Sequence, residues 1–118
     1  MKKEYRVKKT QEIELILKEK DSRGNQYFSI YKKTNFETSH FRYAISVGKK
    51  IGNAVTRNHY KRLITAVISN LNIKLNNNID IFIIAKPTIL KLEYKDIYRE
   101  IKYLLSKHKL IGEGEKNE

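Results

Sequence analysis

The residues with the clearest chemical potential lie in one run, Gly48 to Arg62, which reads GKKIGNAVTRNHYKR. Lys49, Lys50, Arg57, Lys61 and Arg62 place five cationic groups there, and no carboxylate interrupts them. Guanidinium forks such as those of Arg57 and Arg62 grip phosphates bidentately, and an amide such as Asn58 reads a base edge or a 2′-hydroxyl. Gly48 and Gly52 let backbone N–H groups approach an anion closely. Asn53 is placed to cap a helix whose positive dipole end faces the same way. The pattern GxxxxGK[ST] is absent, so this is not a Walker loop. Acid is missing well beyond the run: from Thr38 to Ile79, 42 residues hold seven Lys or Arg and no Asp or Glu. An isolated lysine–arginine pair would be an ordinary solvated face, but solvated helices usually mix signs. This segment points to a polyanion.

Hydrolytic chemistry of the chain's own would need clustered carboxylates for a metal, or a histidine acid and base. The thirteen acids are scattered. The nearest cluster, Glu93, Asp96 and Glu100, suits the first two turns of a helix, where negative charge is favourable for structural reasons. His40, His59 and His108 are far apart in sequence and show no ligand spacing. Cysteine is absent, which excludes a disulfide scaffold, a thiol nucleophile and cysteine-ligated metal sites. No catalytic constellation is visible. Twelve aromatics, eight of them tyrosine, offer a different chemistry. Strand alternation over Tyr27–Lys33 sets Tyr27 and Tyr31 on one face and Phe28 and Ile30 on the other. An aromatic on a polar sheet face is a stacking platform worth about 1–3 kcal/mol per base, with core filling the ordinary alternative.

The elements that must position these groups follow from periodicity. A chain of 118 residues with 40% apolar content and a net charge of +12 predicts one domain with a real core and a strongly basic surface. The first ten residues hold five basic residues and only Glu4, and read as a flexible arm or a strand edge. Thr10 looks like the N-cap of a helix running to about Lys20, with Ile13, Ile16 and Leu17 on one face. Asp21–Asn25 reads as a turn, 27–33 and 40–47 as strands, and 53–71 as a long helix. On that helix Tyr60, Leu63, Ile64, Val67, Ile68 and Leu71 share one arc. Arg57, Asn58, Lys61, Arg62 and Thr65 share a neighbouring one. The asparagine-rich segment 72–78 reads as a loop and 79–85 as a strand buried on both faces. A last helix spans 93–109 with Ile97, Ile101, Leu104 and Leu105 inward. The expected architecture is one α+β domain over 1–111 with a flexible acidic tail at 112–118. With no membrane-spanning run and no apolar leader, the expected location is the cytoplasm.

The run GKKIGNAVTRNHYKR resembles the signature helix of the bacterial ribonuclease P protein component, typically S-K-K-x-G-N-A-V-x-R-N-R-x-K-R. The likeness extends to the basic segment before the first helix, the N-Q-Y-F-x-I-Y strand at 25–31, the apolar strand and Ala85-Lys86-Pro87. It implies a mixed sheet of the ribosomal protein S5 domain 2-like kind, with strands 40–47 and 79–85 parallel and joined by a left-handed crossover helix. The general rule would have predicted a right-handed one. It also implies that Lys49, Lys50, Asn53, Arg57, Asn58, His59, Lys61 and Arg62 bind RNA. His59 replaces the usual second arginine, and Thr65 a commonly basic residue, so a weaker contact is expected at His59 because its ring is mostly neutral near pH 7.

A second site is implied by the same resemblance. Similar proteins hold the single-stranded 5′ leader of precursor tRNA in a cleft between the first helix and the sheet. The matching positions here are Ile13, Leu17, Tyr31 and Lys86, the first two aliphatic where the family has aromatics. The implied activity is removal of the leader by a ribonucleoprotein whose RNA subunit, ribonuclease P RNA, binds Mg2+ and does the cutting. The protein itself would hold no metal and no catalytic residue, and neither membrane nor DNA is an expected partner. A ribosomal protein binding rRNA is the competing reading. A DNA-binding module is less suited, because the basic helix has no helix-turn-helix partner.

Overall fold

A computed structural model describes residues 3–71 and 78–110. Most of the predicted 72–78 loop and the predicted 112–118 tail lie outside the described residues. The elements run α1 (Thr10–Lys18), β1 (Ser22–Gly24), β2 (Phe28–Thr34), β3 (Arg42–Val47), α2 (Ala54–Asn70), β4 (Ile79–Ala85) and α3 (Tyr94–Lys107). Short 3-10 turns occupy Lys3–Tyr5, Lys49–Ile51 and Pro87–Lys91. The sheet has the order β1-β2-β4-β3. β4 runs antiparallel to β2 and parallel to β3, so α2 is the crossover between the parallel pair.

Register sorts the strand residues into two faces. Phe28, Ile30, Tyr43, Val47, Ile79, Ile81, Ile83 and Ala85 join Ile64, Val67 and Ile68 of α2 and Ile97, Ile101, Leu104 and Leu105 of α3 in the larger core. On the other face Ala44 and Phe82 meet Ile16 of α1 and Val7. The central strand β4 is therefore covered on both sides, which explains its almost unbroken apolar sequence. Across this second face the rows are Ser22·Tyr31·Phe82·Ala44, then Gly24·Ser29·Ile84·Ser46 on one side and Lys33·Asp80·Arg42 on the other.

Several predicted details shift. Thr10 is the first residue of α1, not its cap; Lys9 precedes it in extended conformation and no side chain caps the helix. Segment 21–25 is not only a turn, because Ser22–Gly24 pairs antiparallel with β2. The turn is made by Asn25, whose Oδ1 accepts from the N–H groups of Tyr27 (2.8 Å) and Phe28 (2.9 Å). That turn leaves Tyr27 outside β2, where it packs against the larger core and not beside Tyr31. The basic N-terminal segment is a strand edge: Arg6 bridges Tyr43 in parallel, and the Val7 N–H donates to the Tyr43 carbonyl at 2.8 Å.

Candidate nucleic-acid interface

The lead-in to α2 is built by two residues with distinct tasks. Gly52 has φ of +157°, and a Cβ there would lie 2.9 Å from that of Thr56, so a side chain is excluded. Gly48 has ordinary extended backbone and open space around it, so it needs no glycine on steric grounds. Asn53 caps the helix through Oδ1, which accepts from the Thr56 N–H at 3.0 Å. Its predicted contact with RNA therefore competes with a structural use of the same oxygen.

Beyond the cap, α2 buries Ile64, Val67 and Ile68 and turns a polar stripe outward. Lys49, Lys50, Asn58, His59, Lys61 and Arg62 are exposed and Arg57 is half-buried, its Nε shielded and without a hydrogen-bond partner among the described residues. His59 stands outside, edge-on to Tyr60 at 5.2 Å between ring centroids. Among the described residues no carboxylate comes within ion-pair distance of Lys49, Lys50, Arg57, Lys61 or Arg62, whereas Lys32, Arg42 and Arg99 each form ion pairs. The α2 stripe is one wall of an open groove of about 590 Å³. Asn58, Lys61, Arg62, Thr65 and Ser69 line that wall, and Arg6 faces them from the N-terminal segment. Arg6 is held over the Tyr43 ring, 5.2 Å from its centroid, and Tyr43 continues into a stack with Phe41 and Tyr5. Sequence reasoning left Arg6 unassigned. Its only local signal was the basic character of the segment.

The opposite face of the sheet gathers three of the four residues predicted for the second site. Ile13, Leu17 and Tyr31 are half-buried around the same small cluster, Val7, Ile16, Ala44 and Phe82. The same face of the sheet continues over Ser29, Ile84 and Ser46, next to the Tyr31 row. Lys86 stands apart, roughly 13 Å beyond the Phe82 row at about 3.3 Å per residue, and its Nζ donates to the Asn25 carbonyl. Phe82 was missed as a member of this face. The alternation Asp80, Phe82, Ile84 within the apolar strand could have revealed it.

The carboxylates of α3 have structural uses. Glu93 and Asp96 form a reciprocal capping box. The backbone N–H of Glu93 and the Arg99 guanidinium hold the Asp96 carboxyl below the usual carboxylate range. Glu100 accepts from Asn25 Nδ2 at 2.9 Å, fixing the β1–β2 turn. His108 is buried with Nε2 2.7 Å from the Ile30 carbonyl, and burial pushes its ring below the usual histidine range. Among the described residues no group of three or more His, Asp or Glu is arranged to hold a metal, and no helix is long and apolar enough to cross a membrane.

A family model described as Ribonuclease P matches residues 1–109. The ribonuclease P protein component of Acholeplasma laidlawii is 44% identical over 117 residues, spanning 99% of this chain and 100% of that protein. That of Enterococcus faecalis is 40% identical over 111 residues, 94% of each chain. The solved RNase P protein of Staphylococcus aureus superposes with a TM-score of 0.84 at 33% identity, over 92% of this chain and 98% of that one. The Thermotoga maritima RNase P protein shares the fold, with a TM-score of 0.75 at 23% identity over 86% and 96% of the two chains.

Proposed function

The chain belongs to the ribonuclease P protein family, and from that premise we propose that it docks on a ribonuclease P RNA through α2 and holds the 5′ leader of precursor tRNA against the α1 face of the sheet. Membership makes a ribonuclease P RNA its partner and tRNA 5′ processing by an endoribonuclease its setting. The observation that supports the division of labour is the segregation of chemistry by face. The acid-free groove of α2 and Arg6 suits a phosphate backbone. The cleft around Tyr31, walled by Ile13 and Leu17, suits unstacked bases with one aromatic platform. Lys49 and Lys50 lie between, at a depression of about 190 Å³ that they share with Ser46 and Ile84.

The described residues gather no group of three or more carboxylates or histidines arranged to hold a metal. We assign the magnesium and the activated water to the partner RNA, and to the protein the positioning of the substrate. Arg57, Lys61 and Arg62 neutralise phosphates of the RNA subunit, and Tyr31 stacks a leader base. Leader affinity then favours precursor over mature tRNA, because product has lost the segment that the cleft holds. The scissile phosphodiester is hydrolysed to free the leader and a mature tRNA 5′ end, in the cytoplasm.

The test is leader removal from a precursor tRNA by a bacterial ribonuclease P RNA at low Mg2+, with and without the protein. Stimulation of the RNA by a protein that is inert alone is the expected result. No stimulation with the cognate RNA would favour an rRNA-binding role, and cleavage by the protein alone would place an active site in this chain.

A further inference from the structure

α1 is a nine-residue helix without a side-chain cap, and Ile16 is its single fully buried residue. That knob sets the height of the helix over the sheet, while the half-buried Ile13 and Leu17 brace its roll from one flank only. A second attachment lies one turn earlier. Arg42 on β3 forms a bidentate pair with Asp80 on β4, Nη2 to Oδ2 at 2.8 Å and Nε to Oδ1 at 3.0 Å. The same Nη2 reaches Glu12 Oε2 on α1 at 3.1 Å. Asn35 Nδ2 donates to the second oxygen of Asp80 at 3.1 Å, so the carboxylate is held from two further elements. The Asp80 hydrogen bonds drive the Arg42 guanidinium far above its ordinary range, so its charge is fixed.

We propose that the Glu12–Arg42 contact is a latch that fixes the roll of α1 and thereby the shape of the leader cleft, making Glu12 a positioning residue for leader binding. Glu12 and Ile16 are four residues apart, about 6 Å along a helix. They meet the Lys33·Asp80·Arg42 row and the Tyr31·Phe82·Ala44 row, about 6.6 Å apart on a strand. The two attachments therefore match the spacing of the sheet beneath them. Ile13 and Leu17 each follow an attachment by one residue, 100° round the helix, which aims them at the flank where Tyr31 lies. Rolling α1 about Ile16 would move both walls of the cleft together. The Glu12–Arg42 pair is only partly buried, and such a charge pair is weak as a source of stability and better attested as a device that sets registry, which is the role assigned here.

This inference rests on the proposed leader-binding function, and the experiment separates the two. Glu12 is the clean position, because its loss leaves Arg42 paired with Asp80, whereas Asp80→Asn would also weaken the pairing that fixes the guanidinium between β3 and β4. Holoenzyme reconstituted with a bacterial ribonuclease P RNA is assayed for affinity to precursor tRNA and to the same tRNA without a leader. Glu12→Ala is expected to lower the leader-dependent gain roughly three- to tenfold, with Glu12→Gln intermediate because it keeps an acceptor for Arg42. Affinity for the RNA subunit should stay at the wild-type value, and the melting temperature should fall by no more than a few degrees. An unchanged leader-dependent gain in Glu12→Ala overturns the latch. So does a parallel loss of RNA-subunit affinity, which would mark a merely structural residue. A wild-type protein with no leader-dependent gain would instead overturn the functional reading, and the latch with it.

Discussion

Replacing Lys61 and Arg62 together by glutamine should change how affinity for the partner RNA depends on salt, not only its size. Both side chains are exposed, line the α2 groove and lack a carboxylate partner among the described residues. Six cations face the proposed RNA: Arg6, Lys49, Lys50, Arg57, Lys61 and Arg62. Each phosphate contact contributes about 0.7 to 0.9 to the log–log slope, so the wild-type slope should be about −4 to −5. Removing two contacts leaves about −3 to −3.5. A threefold rise in monovalent salt then weakens the wild-type complex about 200-fold and the variant about 30-fold. The assay is a titration of labelled ribonuclease P RNA at several salt concentrations and fixed Mg2+. A variant that binds less tightly with an unchanged slope would refute the phosphate assignment, since the loss would then come from the fold or from base contacts. Arg6→Gln supplies an internal check, with an expected slope change of just under one, because its place in the groove rests on the structure alone.

Leu17→Phe should add a stacking wall to the cleft opposite Tyr31 and raise affinity for leader-bearing tRNA roughly three- to tenfold, leaving leaderless tRNA unaffected; equal gains on both substrates would show that the cleft does not hold the leader. His59→Arg should steepen the salt slope by up to about 0.9, and identical slope and affinity would mean that this flank of α2 touches no RNA. His108 is held below the usual histidine range by burial, while the unfolded chain titrates near about pH 6.5. Between those two values the unfolded state binds more protons, so stability rises with pH across that window and is lost as pH falls below about 6.5. The melting temperature of the wild type should accordingly drop more steeply between about pH 7 and 5 than that of His108→Gln; parallel profiles would remove His108 from the acid sensitivity.

What was legible in the sequence is what is written locally. α2 combines a helical apolar period, a cap at Asn53 and a separate charged arc, and the structure places all three as predicted. β4 agrees in its bounds, because a strand covered on both faces needs a nearly unbroken apolar run, interrupted here only by Asp80. β1 has no such signature: three polar residues at a sheet edge pair through their backbone, and only the Asn25 turn that follows them has a specific side chain. The cleft was less legible still. Periodicity put Ile13, Ile16 and Leu17 on one helix face, but only the family resemblance said what that face meets. Arg6 reaches the groove by pairing with Tyr43, and Glu12 reaches Arg42 across 30 residues of chain. Such contacts are specified by how the two faces close over the sheet, and no window of sequence contains them.

The placement of Asp80 shows how the two faces constrain each other. It is the first acid after the long positive stretch, and an exposed carboxylate there would weaken the field that draws in a polyanion. It is 3% exposed, clamped by Arg42 and capped by Asn35. Its charge is thus spent within the α1 face, where it orients the guanidinium that holds Glu12. One strand thereby serves both partners. The odd residues of β4, from Ile79 to Ala85, support α2 and α3. Phe82 and Ile84 pack beneath α1, and Asp80 holds the Arg42 that reaches Glu12 on that helix. A substitution at an even position of β4 should disturb leader binding before it disturbs docking on the RNA subunit, because the side chains that α2 packs upon point the other way.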